Sequence, residues 1–505
     1  MNCDLGYIRP KLFITFYSIT ILDMSMLDSI IKNFDANLLR DCGIIAERLG
    51  VSFLPDPDYV LRPSTLRCTI TPRVFSEKMF SKVVQVVPIF QKLIHAIAED
   101  LEWLLEVLEP ATRKDEFTRR LCDIARDLYA RKLDTSKSLS IQGRSSIPHL
   151  PIYALRSDYM TTDLDTRILQ VEVNTMSSGF ANAAEALSIF HEYFRVRTGF
   201  ESPGTSPINR PGQGLARGLA YAHMEFFRLY SLNSKILFIV EPKERNEVDQ
   251  RLLEIELLRS HGIGIVRKTL VEVHKDCELS IDGHLVGKGQ TFSVAYFRAG
   301  YSPNHYPDES AWEARALIER SSAFKCPTIL GQLAGTKKVQ QTWYSDGGSV
   351  LGRFGIDGGE RAQLLDLFAV QADPSVNTEI VSRALADPSG WILKPQREGG
   401  GNNLFKEDLK RALLDKSVED LQQYVLMERM RPNSQAAIVS KSNPNGSGIM
   451  VEKLTETVCE VGIFSFYIPG SIDEYTGHLV RTKDFSVDEG GVNAGFAYLD
   501  TVCLV

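Results

Sequence analysis

One short stretch, residues 391–405, constrains what this chain can fold into more than any other. It reads WILKPQREGGGNNLF, an apolar run typical of a buried strand, followed by charged residues, three glycines and two asparagines. Consecutive glycines let backbone N–H groups turn towards a bulky anion, because no Cβ stands in the way. Lys394 supplies a positive charge for phosphate, and Glu398 is a carboxylate able to hold Mg²⁺. A flexible surface loop is the alternative, but this order of residues favours a nucleotide-binding loop.

A second candidate ligand pair ends the predicted strand at 168–173. Glu172 and Asn174 are two residues apart, so on a strand both side chains leave on the same face. Two oxygen ligands side by side suit Mg²⁺. An exposed strand end with ordinary polar residues explains the pattern equally well when it is taken alone.

The rest of the chain divides into regions of different pattern. Apolar residues at three- and four-residue spacing predict helices in 28–133, with one run over 80–108 closed by Pro110. A Pro-, Gly- and Ser-rich segment at 199–213 predicts a loop. From residue 235, strands alternate with helices, which predicts a compact α/β unit. The predicted domains are 1–27, an extension of unknown role; 28–234, the first part of the core with the helical region; 235–333, an inserted α/β unit; and 334–505, the rest of the core with glycine-rich loops at 398–403 and 488–495.

Length and charge narrow the function classes. A chain of 505 residues predicts two or three domains. A net charge of −7 without a long basic run argues against nucleic acid as a partner. The eight cysteines form no Cys-x-x-Cys pair, which indicates free thiols in a reducing compartment rather than disulfides or zinc. The apolar residues at 12–22 are too few to span a bilayer, so we expect no membrane partner and a cytoplasmic location.

Several isolated lysines and arginines are further candidates for binding phosphate. Lys337 and Lys483 are candidate phosphate ligands, although in isolation Lys337 is better explained as a solvated helix start. Three arginines at predicted strand ends suit carboxylate or phosphate recognition, and they are Arg156, Arg298 and Arg481. No Ser-His-Asp, Cys-His or metal-hydrolase pattern competes. Together these residues fit phosphoryl transfer to an anionic acceptor.

Seven blocks in order resemble the eukaryotic glutathione synthetases, a branch of the ATP-grasp ligases. They are LRSDYM at 155–160, VEVNTMS at 171–177, KERNEVDQR at 243–251, YFRAGY at 296–301, QLAGTKKVQQ at 332–341, LKPQREGGGNNL at 393–404 and GHLVRTK at 477–483. The resemblance runs from about residue 65 to Val505. It implies an α/β (α+β) fold: an ATP-grasp core with an inserted α/β substrate-binding unit, a helical N-terminal region and a glycine-rich lid. It also implies a homodimer.

The same resemblance implies the reaction and the residues that perform it. ATP phosphorylates the cysteinyl carboxylate of γ-glutamylcysteine, and glycine attacks the acyl phosphate to give glutathione. Two Mg²⁺ ions accompany ATP, with metal ligands at Glu172, Asn174 and Glu398. Catalytic residues are Arg156, facing the acyl phosphate, with Lys394 and Arg481. The implied ATP site comprises Glu172, Lys337, Lys394, Glu398, Gly399, Gly400, Gly401, Asn402, Asn403, Phe405, Met427, Glu428, Arg429, Met430, Glu460, Lys483 and Glu489. The implied substrate site comprises Arg156, Met176, Ser177, Ser178, Gly179, Glu244, Asn246, Gln250, Arg298, Ala299, Gly300, Tyr301, Arg481, Val492 and Asn493.

Five positions depart from the family pattern. Phe405 replaces a tyrosine, Ala299 and Glu489 each replace an aspartate, Gly179 replaces a serine, and Asn493 replaces an alanine. Asn493 lies in the loop implied to gate the glycine end, so an enzyme that uses alanine or serine is one alternative. A non-catalytic nucleotide-binding relative is the other, and the intact metal ligands argue against it.

Overall fold

The computed structural model describes residues 24–32, 34–54, 64–133, 150–162, 165–399, 401–443 and 449–505. Its helices are α1 (Met24–Lys32), α2 (Ala36–Leu49), α3 (Glu77–Gln85), α4 (Val87–Glu99), α5 (Leu101–Thr112), α6 (Glu116–Leu133), α7 (Ala181–Thr198), α8 (Pro211–Tyr230), α9 (Glu247–His261), α10 (Leu270–Asp276), α11 (Glu309–Arg320), α12 (Ile329–Ala334), α13 (Lys337–Gly348), α14 (Gly358–Leu365), α15 (Thr378–Ala386), α16 (Lys406–Asp415) and α17 (Val418–Leu421). Its strands are β1 (Ser52–Phe53), β2 (Ser64–Thr65), β3 (Cys68–Thr69), β4 (Arg73–Phe75), β5 (Tyr153–Thr162), β6 (Arg167–Asn174), β7 (Ser234–Ile239), β8 (Ile265–Lys268), β9 (Cys277–Leu279), β10 (Leu285–Gly287), β11 (Gln290–Phe297), β12 (Phe324–Cys326), β13 (Gln371–Ala372), β14 (Trp391–Pro395), β15 (Leu404–Phe405), β16 (Tyr424–Glu428), β17 (Gln435–Ser442), β18 (Ile449–Ile468), β19 (Ile472–Asp484), β20 (Tyr498–Asp500) and β21 (Val502–Leu504). Three larger sheets organise these elements.

A seven-stranded sheet forms the centre of the molecule, in the order β17-β3-β20-β19-β18-β5-β6. Strands β18 and β19 are its long antiparallel pair, and β5 and β6 extend it at one edge. Residues 449–454 and 460–464 both belong to the single long strand β18. Helices α4 and α7 to α8 pack on this sheet through apolar side chains such as Phe90, Phe190 and Phe466. The sheet therefore brings residues 153–174 next to residues 449–484, far apart in the chain.

A four-stranded sheet, in the order β13-β16-β14-β15, contains the glycine-rich stretch at residues 391–405. The predicted buried strand is β14, where Trp391 and Leu393 face a small core beneath α15 and α16. The predicted strand at 424–428 is β16, and the predicted helix near 406–415 is α16. The glycine-rich segment thus links β14 to β15 at one end of this sheet.

A six-stranded sheet lies wholly within residues 234–326, in the order β8-β7-β11-β10-β9 with β12 beside β11. Strands β7, β8, β11 and β12 are parallel, and β9 and β10 form the predicted hairpin. Side chains alternate along β7, since Leu237 packs towards α10 and α11 whereas Phe238 packs towards α8 and α9. This sheet falls within the predicted 235–333 unit, and the domain boundaries stay predictions.

Several local predictions need correction. The helical run over 80–108 is three helices, α3 to α5, because Pro88 opens α4 and the Asp100 side chain caps α5. Pro110 lies inside α5 rather than ending it. The apolar spacing of α9 predicts that Ile255 faces inward, but this residue is 43% exposed. Helices α7 and α8 were not predicted at all.

The glycines of α8 allow this helix to pack closely on the central sheet. A Cβ on Gly214 would lie 2.4 Å from Thr476 Cγ2, and one on Gly218 would lie 2.3 Å from Phe466 Cδ1. These glycines let the helix approach β18 and β19 closely. They serve helix–sheet packing.

Candidate active site

One face of the seven-stranded sheet carries the predicted metal and phosphate residues. Asp158 is paired with Glu172, and Arg156 with Asn174, across β5 and β6, so all four side chains share that face. Glu460 and Arg481 are paired in the same way across β18 and β19. The expectation that Glu172 and Asn174 leave the strand together is confirmed by this register.

Asp158, which the sequence analysis did not single out, connects three predicted site residues. Its carboxylate accepts hydrogen bonds from Arg156 Nε at 2.7 Å and from Arg156 Nη2 at 2.8 Å. It also accepts from Asn174 Nδ2 at 2.9 Å and from Arg481 Nη2 at 3.0 Å. The Asp158 side chain has no exposed surface. A carboxylate buried among two guanidinium groups fixes both arginines towards one side of the sheet.

Gly462 provides the space for this arrangement. A Cβ at this position would lie 2.6 Å from Asp158 Oδ1 and 2.9 Å from Arg156 Cδ. Any larger residue on β18 would therefore push into the Asp158–Arg156 pair.

Lys337 lies between the two carboxylates predicted to bind metal. Its Nζ is 3.1 Å from Glu172 Oε2 and 3.2 Å from both oxygens of Glu398. Lys337 is the first residue of α13 and is 8% exposed, so it is not a solvated helix start. The same helix reaches β6 through Gln340 Nε2, which donates to Val173 O at 3.0 Å. Helix α13 therefore joins Glu172 on one sheet to the loop after β14 on another.

Burial and the neighbouring charges shift the pKa values of the ionisable groups in this cluster. Burial would raise the pKa of Glu172, but Lys337, Lys394 and Arg481 outweigh it and hold that pKa below its usual range. Burial raises the pKa of Glu398, and Lys337 offsets this only in part. Burial also lowers the pKa of Lys394, although Glu172 acts in the opposite direction. Glu172 is thus the more firmly ionised carboxylate, and Glu398 is the first to take a proton.

The donor set fits Mg²⁺. Glu172 and Glu398 converge on the same ammonium group, and the Asn174 amide donates its N–H to Asp158, which leaves its oxygen as the atom for a metal. Mg²⁺ prefers a few hard oxygen ligands and keeps sites for water and phosphate. Among the residues that the structure describes, no three His, Cys, Asp or Glu side chains gather into a metal cluster.

An apolar cluster joins the two sheets near Lys394. Met427 and Met430 pack with Leu169 of β6 and with Ala369, and all four are buried. Lys394 Nζ donates to Val171 O at 3.3 Å, and Val171 packs against this cluster. Glu428 between the methionines is exposed. An apolar surface beside a buried lysine is the combination that suits a nucleotide base and its phosphates.

Two glycines of the glycine-rich loop adopt left-handed backbone conformations. Gly399 and Gly401 have φ angles of 82° and 91°, which residues with a Cβ rarely adopt. Asn402 Nδ2 donates to Gly399 O at 3.3 Å, and Asn403 is partly buried. Gly400 lies outside the described residues.

Asp488, the residue before the predicted Glu489, ties the second small-residue loop to the nucleotide side. Its carboxylate lies 2.8 Å from Arg429 Nη2 and 3.0 Å from Lys406 Nζ. Its backbone oxygen accepts from Lys483 Nζ at 2.6 Å. Arg429 also lies 5.9 Å from the centre of the Phe405 ring. Glu489 itself is partly buried and lies next to this cluster in the chain.

The far end of this loop is held by two other arginines. Arg245 Nη1 donates to Asn493 O at 3.0 Å, and Arg67 Nη1 donates to Gly495 O at 2.7 Å. Val492 is buried, whereas the Asn493 side chain is exposed. Arg245 belongs to the predicted substrate block, so the loop is bonded to that block directly.

The predicted peptide residues surround Arg298 at the end of β11. Arg298 is 5% exposed, and its Nε has no hydrogen-bond partner. A Cβ on Gly179 would lie 3.1 Å from Arg298 Nη2 and 3.1 Å from Asn246 Nδ2, so the glycine lets this turn approach both groups. The Ser178 Oγ and Asn246 Oδ1 atoms are buried without partners as well. Unpaired buried polar atoms in one region are typical of a site for a polar ligand.

Hydrogen bonds fix the orientations of the polar side chains next to Arg298. Glu244 accepts from Asn246 N at 2.7 Å and from Gln250 Nε2 at 3.1 Å. Asp249, not predicted from the sequence, accepts from Phe180 N at 2.9 Å and so joins α9 to the turn before α7. These bonds hold the 243–251 block against the 176–180 turn.

A cleft of about 500 Å³ opens beside the metal and peptide residues. Tyr301 donates its hydroxyl to Glu241 at 3.1 Å, and Ser177 Oγ donates to Phe297 O at 3.0 Å. Gly300 has a φ of 102°, and it follows Ala299, which is buried. The cleft is lined by Phe117, Thr118, Leu121, Asn174, Thr175, Met176, Tyr301, Gln332, Gly335, Thr336, Gln396 and Glu398. The wall from α6 was missed because its helical pattern carried no sign of a ligand.

Comparison with known proteins agrees with this geometry. Residues 51–504 match the family model described as eukaryotic glutathione synthase, ATP binding domain. The chain is 36% identical to the chloroplastic glutathione synthetase of Solanum lycopersicum, over 91% of this chain and 80% of that protein. It is 33% identical to glutathione synthetase of Homo sapiens, over 87% of this chain and 89% of that protein. A solved apo structure of a glutathione synthetase-like effector from Globodera pallida covers 94% of this chain and 98% of its own, with a TM-score of 0.69 and 19% identity, which shows the fold alone.

Proposed function

The chain belongs to the eukaryotic glutathione synthase family and is an ATP-dependent ligase with the mixed α/β ATP-grasp fold predicted for it, and from this premise we propose how its own residues join γ-glutamylcysteine to glycine. The observation that carries the proposal is Lys337 Nζ within 3.2 Å of both Glu172 and Glu398, on the sheet face that also presents Arg156 and Arg481. Metal ligands, phosphate-binding cations and acceptor-binding cations therefore share one site.

The reaction has two steps on this face. A cysteinyl carboxylate oxygen attacks the γ-phosphorus of ATP, the bond to the bridging oxygen breaks, and ADP leaves. The glycine amine then attacks the acyl carbon, phosphate leaves, and the amine gives up a proton. Little covalent chemistry falls to the protein, because phosphoryl transfer depends on positioning and charge neutralisation.

Two Mg²⁺ ions bound with ATP belong to the proposal. Glu172, Asn174 and Glu398 would hold them, and bound Mg²⁺ supplies charge neutralisation at the phosphate oxygens. Lys337 and Lys394 place fixed positive charge beside the same phosphates. Lys483, held by Asp488 O, adds a third cation on the nucleotide side.

The nucleotide base would pack against the apolar cluster of Leu169, Ala369, Met427 and Met430. Gly399 to Gly401 would close over the phosphates through their backbone N–H groups. Phe405 offers its ring but no hydroxyl to the nucleotide. The pairing of Arg429 and Asp488 joins this region to the 488–495 loop.

The peptide acceptor would lie between Arg298 and the central sheet. Arg298 and its unpaired Nε suit the α-carboxylate of the γ-glutamyl group, and the Glu244 carboxylate suits its amino group. Arg156 and Arg481 would face the acyl phosphate as charge develops there. Both guanidiniums are fixed by Asp158 before any ligand arrives, so they need little rearrangement.

Glycine is the proposed second substrate, and Val492 and Asn493 would border its site. The decisive assay supplies γ-glutamylcysteine, glycine and Mg-ATP and follows ADP. ADP release that depends on glycine supports the proposal, and ATP binding without such release would instead indicate the non-catalytic relative. The same assay with free alanine or free serine in place of free glycine tests the alternative acceptors.

Assembly and location complete the proposal. We propose a homodimer, which light scattering of the purified protein would test against a monomer mass. We propose a cytoplasmic location, in keeping with free cysteines at every described cysteine position. The tomato relative is named chloroplastic, so imaging of the tagged full chain should include plastid and cytosolic markers. In the part of the chain that the structure describes, every helix is too short or too polar to cross a bilayer.

A further inference from the structure

The residue just before helix α6 contacts the root of the glycine-rich loop. Arg397 Nη1 lies 2.8 Å from Asp115 Oδ2, and Arg397 Nη2 lies 2.8 Å from Asp115 Oδ1. The two residues are 282 positions apart in the chain. Asp115 is 2% exposed, and its Oδ2 also accepts from Thr118 Oγ1 at 2.5 Å. A buried carboxylate from a distant segment thus holds one arginine, through a hydrogen bond to Nη1 and an ion contact with Nη2.

The Asp115–Arg397 pair lies next to a proposed metal ligand. Arg397 immediately precedes Glu398, whose carboxylate lies 3.2 Å from Lys337. Arg397 Nη1 also donates to Gln396 O at 2.6 Å, and its Cζ lies 6.0 Å from the centre of the Phe117 ring. Three contacts therefore keep its charge on the α6 side of the loop.

We propose that Asp115 is a positioning residue for the metal–nucleotide site, an inference that rests on the proposed role of Glu398. Asp115 fixes the backbone from which Glu398 projects, and it keeps the guanidinium of Arg397 away from that carboxylate. Without Asp115, the charged Arg397 loses its buried carboxylate partner. Glu398 is its neighbour in the chain, and a guanidinium paired with that carboxylate would compete with a metal ion.

The neighbouring residue Lys114 provides a matched control. Its Nζ lies 3.3 Å from Glu419 and 3.4 Å from Asp420, so it also joins the start of α6 to the unit that carries the loop. Both of those partners are exposed, and such pairs contribute at most about 1 kcal/mol. Lys114→Ala should therefore leave metal binding unchanged.

The test measures Mn²⁺ binding by electron paramagnetic resonance on the full-length protein with ADP, alongside kinetics at varied Mg²⁺. Mn²⁺ takes the same oxygen ligands as Mg²⁺. For Asp115→Asn we expect the Kd for Mn²⁺ and the Mg²⁺ requirement to rise about 10-fold or more, the usual effect of losing a group that orients a metal ligand. The KM for γ-glutamylcysteine should change less than about twofold, because Arg298 and its neighbours are not contacted by Asp115.

The double variant separates positioning from general damage. If the freed arginine competes with metal, Arg397→Gln added to Asp115→Asn should recover most of the lost Mn²⁺ affinity. Unchanged Mn²⁺ affinity in Asp115→Asn, or no recovery in the double variant, would overturn the inference. If Asp115→Asn fails to fold, Arg397→Lys takes its place, since a lysine keeps the charge but cannot contact both oxygens. Its Mn²⁺ affinity should fall, and an unchanged affinity contradicts the inference.

Glu398→Gln distinguishes this inference from the proposed function. Loss of Mn²⁺ binding in Glu398→Gln with normal binding in Asp115→Asn rejects the role of Asp115 alone. Normal binding in Glu398→Gln rejects the metal role of Glu398 and the inference with it.

Discussion

Asp158 accepts hydrogen bonds from both Nε and Nη2 of Arg156, at 2.7 and 2.8 Å, although the two residues are only two positions apart on β5. Adjacent same-face positions on one strand rarely form so complete a pair, and here Gly462 on the neighbouring strand provides the space. The pair sets the direction of Arg156 before substrate binds. It also makes the arginine sensitive to any change at Asp158.

Asp158→Asn should destabilise the protein and reduce turnover. Removing one partner of a buried ion pair costs about 3–5 kcal/mol, because the remaining charges stay buried without compensation. Urea unfolding and the kcat for ADP release measure the two effects. Asp366→Asn is the control, since Asp366 pairs with Lys82 at the surface and should shift stability by less than about 1 kcal/mol. An unfolding midpoint equal to that of the wild type would show that Asp158 is not needed to balance the arginines.

Glu398→Ala should lower turnover about 100-fold or more without unfolding the protein, because it removes one proposed metal ligand from a partly buried position at the root of a loop. ADP release at saturating substrates gives the rate, and thermal unfolding checks the fold. Glu407→Ala, in the exposed first turn of α16, should behave as the wild type. If the variant is as active as the wild type, Glu398 is not needed as a metal ligand.

Asp500 should make stability fall as the pH rises from about 4 to 7. Burial raises its pKa from 3.8 to about 6, although Thr69 and Thr482 donate hydrogen bonds to it. The unfolded chain therefore loses this proton first, and the stability present below the unfolded pKa is lost as the pH rises through the folded one. Asp500→Asn has no such proton. Its unfolding free energy relative to the wild type should improve by about 3 kcal/mol over this range. Urea unfolding at several pH values checks this, and a constant difference contradicts it.

Arg298→Lys should raise the KM for γ-glutamylcysteine about 10-fold or more while leaving the KM for ATP unchanged. Lysine keeps the charge but loses the planar group able to hold a carboxylate by two hydrogen bonds. Steady-state kinetics with each substrate varied in turn separates the two constants. Arg259→Lys, exposed in the last turn of α9, is the control. Equal effects on both substrates would place Arg298 in general support of the fold.

Glycine should be preferred over alanine, and Asn493→Ala should keep that preference. The Asn493 side chain is exposed, and its backbone oxygen is already bound by Arg245, so we expect the amide side chain to make no contact with the acceptor. One methyl group typically changes kcat/KM about 10–200-fold. Measuring kcat/KM for glycine, alanine and serine in both proteins provides the test. A wild type that prefers alanine or serine identifies the alternative acceptor.

The local features of the site could be predicted from the sequence. Residue spacing alone placed Glu172 and Asn174 on one strand face, and the apolar run before Lys394 predicted β14 correctly. These features depend on neighbours within a few residues. The geometric roles proposed for individual site residues stay predictions until they are tested by experiment.

The connections between distant segments could not be predicted in this way. Asp158 stands between Arg156 and Tyr159 without any local sign that it also meets Arg481, 323 residues away. Helix α7 was missed because its alanines are buried on more than one side, which removes the simple helical stripe. The glycines of α8 likewise made a packing helix resemble a loop.

The location of Lys337 between Glu172 and Glu398 has a consequence for the order in which ligands arrive. One ammonium group already offsets much of the charge of two carboxylates, so a free divalent cation meets a weakly attractive site. A triphosphate can take over the lysine and release both carboxylates at once. We therefore expect metal to enter as a complex with ATP, and calorimetry should find strong binding of Mg²⁺ with nucleotide but little binding of Mg²⁺ alone.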